Sequence, residues 1–292
     1  MRAKPSIYLF LLPGGLIFLI FFVVPTIYGL SLSFTNWDGL SPQLQFIGFA
    51  NYAHLLTDDS SFHTAIGNTL KFVLTVVIIQ STLSLILAIY LLKNTKVNIF
   101  LRTLYFFPTI LSSVSVAFIW MFIYDSNIGI LNTLLGDVGL QSLQASWLGD
   151  QRMAIYCIAA TEIWAHTGQL LIIYLAGLQQ IPHELYEVAM LEGASRWQTF
   201  RKVTWPLLAP ATTIVVAYTT IQSFRMFDLI FAMTDGGPGN STEVLATYIY
   251  HQAFQYNHVG YASAVSMLFM VIIALITMAQ FGLLRFRSLK SA

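Results

Sequence analysis

Glu162, His166 and Gln169 stand at positions i, i+4 and i+7 of an otherwise apolar stretch. On an α-helix this spacing places a carboxylate, an imidazole and an amide on one face. Together they supply acceptors for hydroxyl protons and donors for hydroxyl oxygens, which suits a polyol. A Glu and a His one turn apart also suit a proton relay, so both chemistries stay open. Further along, Thr219, Gln222, Ser223 and Met226 share a second face. Arg225 and Asp228, three residues apart, serve equally as a structural ion pair or as solute contacts. Thr109, Ser112 and Ser113 follow Pro108. Hydroxyl residues of this kind either pack helices together or line a cavity.

The elements that carry these residues are dictated by composition. Of 292 residues, 57% are hydrophobic and only 9% charged, against roughly 25% charged in ordinary soluble domains. Lipid is therefore the expected solvent. A spanning helix needs about 20 mostly apolar residues, and six segments qualify: about 8–32, 68–92, 103–124, 153–178, 207–231 and 261–284. The first run is too long for the apolar core of a signal peptide, and no small-residue cleavage site follows it. Of 14 basic residues, 11 fall before the first segment or after the second, fourth and sixth; the opposite loops hold one, Arg152, among eight acids. The positive-inside rule then places both termini in the cytoplasm. The expected class is an all-α membrane protein, read as a single domain over residues 1–292.

Other functions lose ground on the same residues. The net charge of +1 gives no basic patch dense enough for nucleic acid. The one cysteine, Cys157, lies in an apolar run with no metal-ligand spacing. No Gly-rich nucleotide loop of the GxxxxGK[ST] form is present, so any ATPase must be a separate chain. No nucleophile motif or facing carboxylate pair suggests an enzyme.

One cytoplasmic stretch, 179–206, reads as two short helices. Glu184 and Glu187 lie early, where the helix dipole favours acids. Gly193 ends the first helix, and Ser195-Arg-Trp-Gln198 is a capping box that starts the second. Gly193 answers to a left-handed backbone or to a close approach. From physics alone, this apolar-faced segment docks in a partner's groove or lies on the membrane surface.

The stretch resembles the EAA loop of binding-protein-dependent ABC importer permeases. Glu187-Val188-Ala189, Gly193, Val203 and Trp205-Pro206 keep that family's spacing, with Val188, Val203 and Trp205 in place of its Ala, Ile and Leu. Phe46-Ile-Gly-Phe-Ala-Asn51-Tyr52 and Thr234-Asp-Gly-Gly-Pro-Gly-Asn240 are similar to the carbohydrate, maltose-type branch. The resemblance implies the type I importer permease fold in a bacterial inner membrane. It implies a heterodimer with a second homologous permease, two copies of a cytoplasmic ATPase that bind ATP and Mg, and an extracytoplasmic solute-binding protein. It implies no cofactor on this chain. Leu185, Glu187, Ala189, Leu191 and Gly193 would then couple to the ATPase. Thr109, Ser113, Glu162, Ala165, His166, Gln169, Gln222, Ser223 and Met226 would lie where that branch contacts its sugar. A proton-coupled secondary transporter using Glu162 and His166 is the alternative. It has no use for a docking helix, and no internal repeat of its usual kind is visible.

Overall fold

The computed structural model describes the backbone of residues 5–289 and the side chains of 11–280 and 282. Arg2, Lys4 and Lys290, which contribute to the charge asymmetry, lie outside the described residues, as do the side chains of Arg285 and Arg287. The described chain is nearly all helix; its β pairing is one isolated bridge, Thr35 to Phe46. Two compact units emerge: the chain up to Phe62 together with Tyr248–Ile272, and His63–Thr247 together with the chain from Ile273 onward.

In the first unit, α1 (Pro5–Phe18) runs through a π turn, Leu19–Val23, into α2 (Val24–Leu32). The π turn precedes Pro25, and such distortions are how helices accommodate proline. The outward side chains of this run are apolar, from Leu11 through Phe22 to Tyr28, a surface suited to lipid or to another membrane helix. The loop after α2 folds back on it. Asn51, at the start of α3 (Ala50–Thr57), donates to the carbonyls of Ser33 and Thr35 at 2.9 Å each, and the Tyr52 hydroxyl donates to Ser33 Oγ at 2.8 Å. Both belong to the Phe46–Tyr52 motif, which ties the loop after α2 to the helix end. Nearby, Asp59 accepts from the hydroxyls of Tyr248 and Tyr261. Burial pushes the Asp59 carboxyl up, but these bonds and backbone N–H donors outweigh it and hold it below the usual carboxylate value.

The second unit is organised around one helix. α4 (Ser60–Tyr90) enters it, and α5 (Lys96–Phe106) follows a turn that Arg102 secures by donating to the carbonyls of Leu91 and Leu92 beyond the α4 C-terminus. A 3₁₀ turn, Phe107–Ile110, leads into α6 (Ser113–Ile123). α7 (Ile130–Asp137) lies in the next loop. α8 (Ala154–Gln179) then runs 26 residues, most of them buried. Two apolar clusters share it. Ile155, Ile158 and Ile163 pack with Phe72, Val116 and Ile230. Leu171, Tyr174 and Leu178 pack with Ala88, Leu208 and Val215. α9 (His183–Leu191), α10 (Arg196–Thr199) and α11 (Trp205–Leu207) form the next loop, with a π turn at Phe200–Thr204. α12 (Ala209–Phe224), α13 (Asp228–Thr234) and α14 (Leu245–Tyr250) follow, and α15 (Val259–Leu289) closes the chain.

Two of the segments expected to span are bent. The segment expected at 103–124 breaks between Lys96–Ile110 and Ser113–Ile123 with a bend of 102°. Pro108 sits in the 3₁₀ turn, and Ser112 caps α6 by accepting from the Ser115 N–H. The segment expected at 207–231 bends by 67° between Arg196–Leu207 and Ala209–Phe224 and stops at Phe224. Arg225 and Asp228 therefore do not share a helix, and no ion pair joins them among the described residues. By length and apolarity, three described helices suit a bilayer, or five with each bent pair taken as one span. α8 is long enough, but its polar stripe keeps it out of that count.

Gly168 marks the tightest helix crossing. A Cβ there would fall on the backbone of Tyr105 and Phe106, whereas one at Gly177 would meet only the side chains of Ala211 and Leu208. Backbone cannot yield as side chains do. Gly168→Ala should therefore destabilise the helical core by about 1–3 kcal/mol, and by more than Gly177→Ala. Thermal unfolding of both variants in one detergent checks this; equal midpoints would contradict the crossing described.

Candidate functional site: a polar cleft and an exposed loop

α8 carries its stripe into the interior. Glu162 is 5% exposed, and its Oε1 lies 3.0 Å from His166 Nδ1. That approach is an ion-pair distance without an aligned hydrogen bond. Gln169, one turn on, donates through Nε2 to the Tyr218 hydroxyl of α12 at 3.0 Å.

Glu162 and His166 face a narrow cleft with Gln222 and Ser223 of α12, Tyr218 and Thr219 beside them, and Gln80 of α4. Five of the residues singled out from sequence, Glu162, His166, Thr219, Gln222 and Ser223, thus meet. Gln80 and Tyr218 are additions. Gln80 is a single amide in an apolar helix, and such a residue reads equally well as interhelical glue. Tyr218 reads as an interfacial aromatic. The Ser223 Oγ is buried and has no hydrogen-bond partner among the described residues, a cost of about 1–3 kcal/mol unless something else supplies one.

The remaining candidates lie elsewhere. Thr109 donates to the Ala165 carbonyl at 2.9 Å, which joins the 3₁₀ turn to α8 and leaves Ala165 itself buried. Ser113 opens α6, half-exposed. Met226, past the end of α12, packs against the apolar cluster around Ile158. The cleft encloses about 10 Å³. One water needs about 10–15 Å³ on this measure, and ligand pockets run to several hundred. Admitting a solute therefore requires α4, α8 and α12 to separate.

The loop that joins α8 to α12 is built to protrude. α9 ends in a Schellman motif: the Gly193 N–H donates to Met190 O at 3.0 Å and the Ala194 N–H to Ala189 O at 2.9 Å. Gly193 has φ +74° with open space where a Cβ would lie, so its requirement is conformational rather than steric. The capping box forms, with Ser195 Oγ accepting from the Gln198 N–H and Gln198 Oε1 accepting from the Ser195 N–H. Leu191 is 89% exposed and Met190 76%, while Ala189 turns into the fold. Leu185 is half-exposed. Glu187 meets His183 at 3.1 Å on the outer side of α9. Trp197 stacks on Phe200 with ring centroids 5.6 Å apart. The Tyr186 hydroxyl reaches Thr204 Oγ1 at 3.3 Å and ties α9 to the root of α12.

Residues 80–288 match the family described as the binding-protein-dependent transport system inner membrane component. The chain belongs to this family. A probable ABC transporter permease protein of Pyrococcus horikoshii is 37% identical over 90% of this chain and 89% of its own. The multiple sugar-binding transport system permease protein MsmF of Streptococcus mutans is 34% identical over 94% of this chain and 93% of its own. The crystal structure of a bacterial ABC transporter involved in the import of the acidic polysaccharide alginate contains a chain with TM-score 0.83 and 25% identity, covering 96% of this chain and 95% of that one. The fold is thus that of an ABC importer permease, and the chain is an inner-membrane component.

If α8 crosses the bilayer, a carboxylate and an imidazole on it are costly there, and such residues usually serve a solute or ion path. Glu162→Ala and His166→Ala should each lower uptake by the complete transporter roughly tenfold, the scale of losing one charge-assisted hydrogen bond. Both variants should keep normal membrane levels. Uptake assays on the two decide this, and normal transport by both would remove the cleft from the pathway.

Proposed function

We propose that this chain is one of two membrane subunits of an ATP-driven importer of saccharides. It forms half of the pathway for a mono- or oligosaccharide, or a glycosyl-polyol, delivered by an extracytoplasmic binding protein. The observation that carries the reading is the connection between the two sites. The walls of the polar cleft, α8 and α12, are joined by the protruding loop 180–208. A force on α9 is therefore applied to both walls.

In this reading the partner on the loop is a cytoplasmic ATPase, present in two copies that bind ATP and Mg, and the other half of the membrane part is a homologous permease. Leu185, Glu187, Leu191 and Met190 face the ATPase, Ala189 seats α9 on its own chain, and Gly193 fixes the turn. Closure of the ATPase pair draws α9 with it and parts α8 from α12. Glu162, His166, Gln222 and Ser223 then contact the solute's hydroxyls, and Gln169, Thr109, Ser113, Ala165 and Met226 support the walls or join them when the cleft opens. This chain hydrolyses nothing itself. The chain crosses the membrane six times with both termini cytoplasmic, as the loop charges require, and α8 is the fourth crossing. The saccharide follows from relatives named for sugar transport and from a cleft of hydroxyl-compatible groups. A proton relay through Glu162 and His166 would leave the exposed apolar end of α9 without a purpose.

Leu191 touches little of its own chain. Leu191→Asp should leave insertion and folding intact yet reduce both ATPase co-purification and uptake at least tenfold, as hot-spot losses do. Full uptake by that variant would contradict the assignment of α9.

A further inference from the structure

We propose that Glu162 is a charge filter: within the translocation path assigned above, on which this rests, it admits uncharged glycosides and rejects those that carry carboxylates. Glu162 is 5% exposed, so bulk solvent screens its charge only weakly. Among the described residues, no lysine or arginine lines the cleft. Lys71 lies nine residues before Gln80 on α4, about 13 Å along the axis, and sits 3.4 Å from Asn68 Oδ1. Arg225 follows the end of α12 and is exposed.

The filter uses Glu162 as the carboxylate beside a neutral His166, the pairing that gives the cleft one negative charge; a protonated His166 at 3.0 Å would balance that charge and shrink the preference, without offering an anion a net positive partner. Hydrogen bonding points the same way. An ionised carboxylate only accepts, so Glu162 can bond a sugar hydroxyl but not a second carboxylate. The neutral groups around it, the amides of Gln80 and Gln222 and the unpartnered Ser223 Oγ, both donate and accept. The fold itself sets no such preference, since the alginate transporter of similar fold imports an acidic polysaccharide.

The filter can be tested without knowing the sugar. Gln222→Cys, in a Cys157→Ala background, places a thiol in the cleft. The assembled transporter, turning over ATP in membrane vesicles, is treated with a cationic trimethylammonium-ethyl or an anionic sulfonatoethyl methanethiosulfonate. Each rate is divided by that for a small free thiol in the same buffer. Both reagents attack the same thiolate, so the effect of Glu162 on thiol ionisation cancels in their ratio. The cationic reagent should react roughly tenfold faster or more, the scale set by one charge several ångströms away in a partly wet site. Glu162→Gln should bring the ratio close to one, and His166→Gln should preserve or enlarge it. Glu162→Met, of similar volume, repeats the first arm should the amide fail to assemble. A ratio near one with Glu162 present, or one unmoved by its replacement, overturns the filter while leaving the path assignment intact. Failure of both reagents to react overturns the path assignment and the filter with it.

Discussion

A membrane interior has no water to satisfy polar groups, and α8 carries a carboxylate, an imidazole and an amide through its middle. The rest of the second unit answers that constraint. α4, α6, α12 and α13 bury the apolar faces of α8 in two clusters, one toward each end. The stripe between them is left to the narrow strip where Gln80, Tyr218, Gln222 and Ser223 meet it. Close crossing at Gly168 keeps α8 against the α5–α6 joint. The Thr109 bond to the Ala165 carbonyl fixes the same joint from the other side.

The same packing explains how a distant event reaches the stripe. α8 and α12 are each packed along their length and are joined by one loop, so the proposed mechanism treats them as rods. Inside that loop the Schellman turn at Gly193, the capping box at Ser195 and the Tyr186–Thr204 contact remove slack. A stiff connection between a protruding helix and two packed rods is what mechanical coupling needs. In the proposed mechanism the closed cleft is the state in which α8 and α12 lie together; Ser223, buried without a hydrogen-bond partner among the described residues, is a group whose cost would fall when they part and a solute enters.

Much of this is legible in the sequence where the signal is local. The stripe on α8 follows from a spacing of three and four, and the caps of the loop follow from Ser195, Gln198 and Gly193, whose chemistry acts within a few residues. The two bends are less legible. Proline marks Pro108 and Pro210 as possible breaks, but membrane helices often absorb proline, and only the packing of α6 and α12 decides that these turn sharply. The end of α12 at Phe224 has no glycine or proline to announce it. Gln80 and Tyr218 join the site through tertiary contact alone, and the Thr109 bond to the Ala165 carbonyl is likewise tertiary. The span count suffers from the stripe itself, since its polar residues lower the apolarity of α8.

The central claim is that the loop between α8 and α12 engages an ATPase that drives the cleft. Purification of the full chain from its native membrane in mild detergent, with every co-purifying chain identified, tests it most directly. The account predicts a second, homologous permease and a nucleotide-binding ATPase of ordinary domain size, on the order of 200 residues or more. Recovery of this chain alone, in a form whose uptake runs on a proton gradient without ATP, would contradict it and assign Glu162 and His166 to a proton relay.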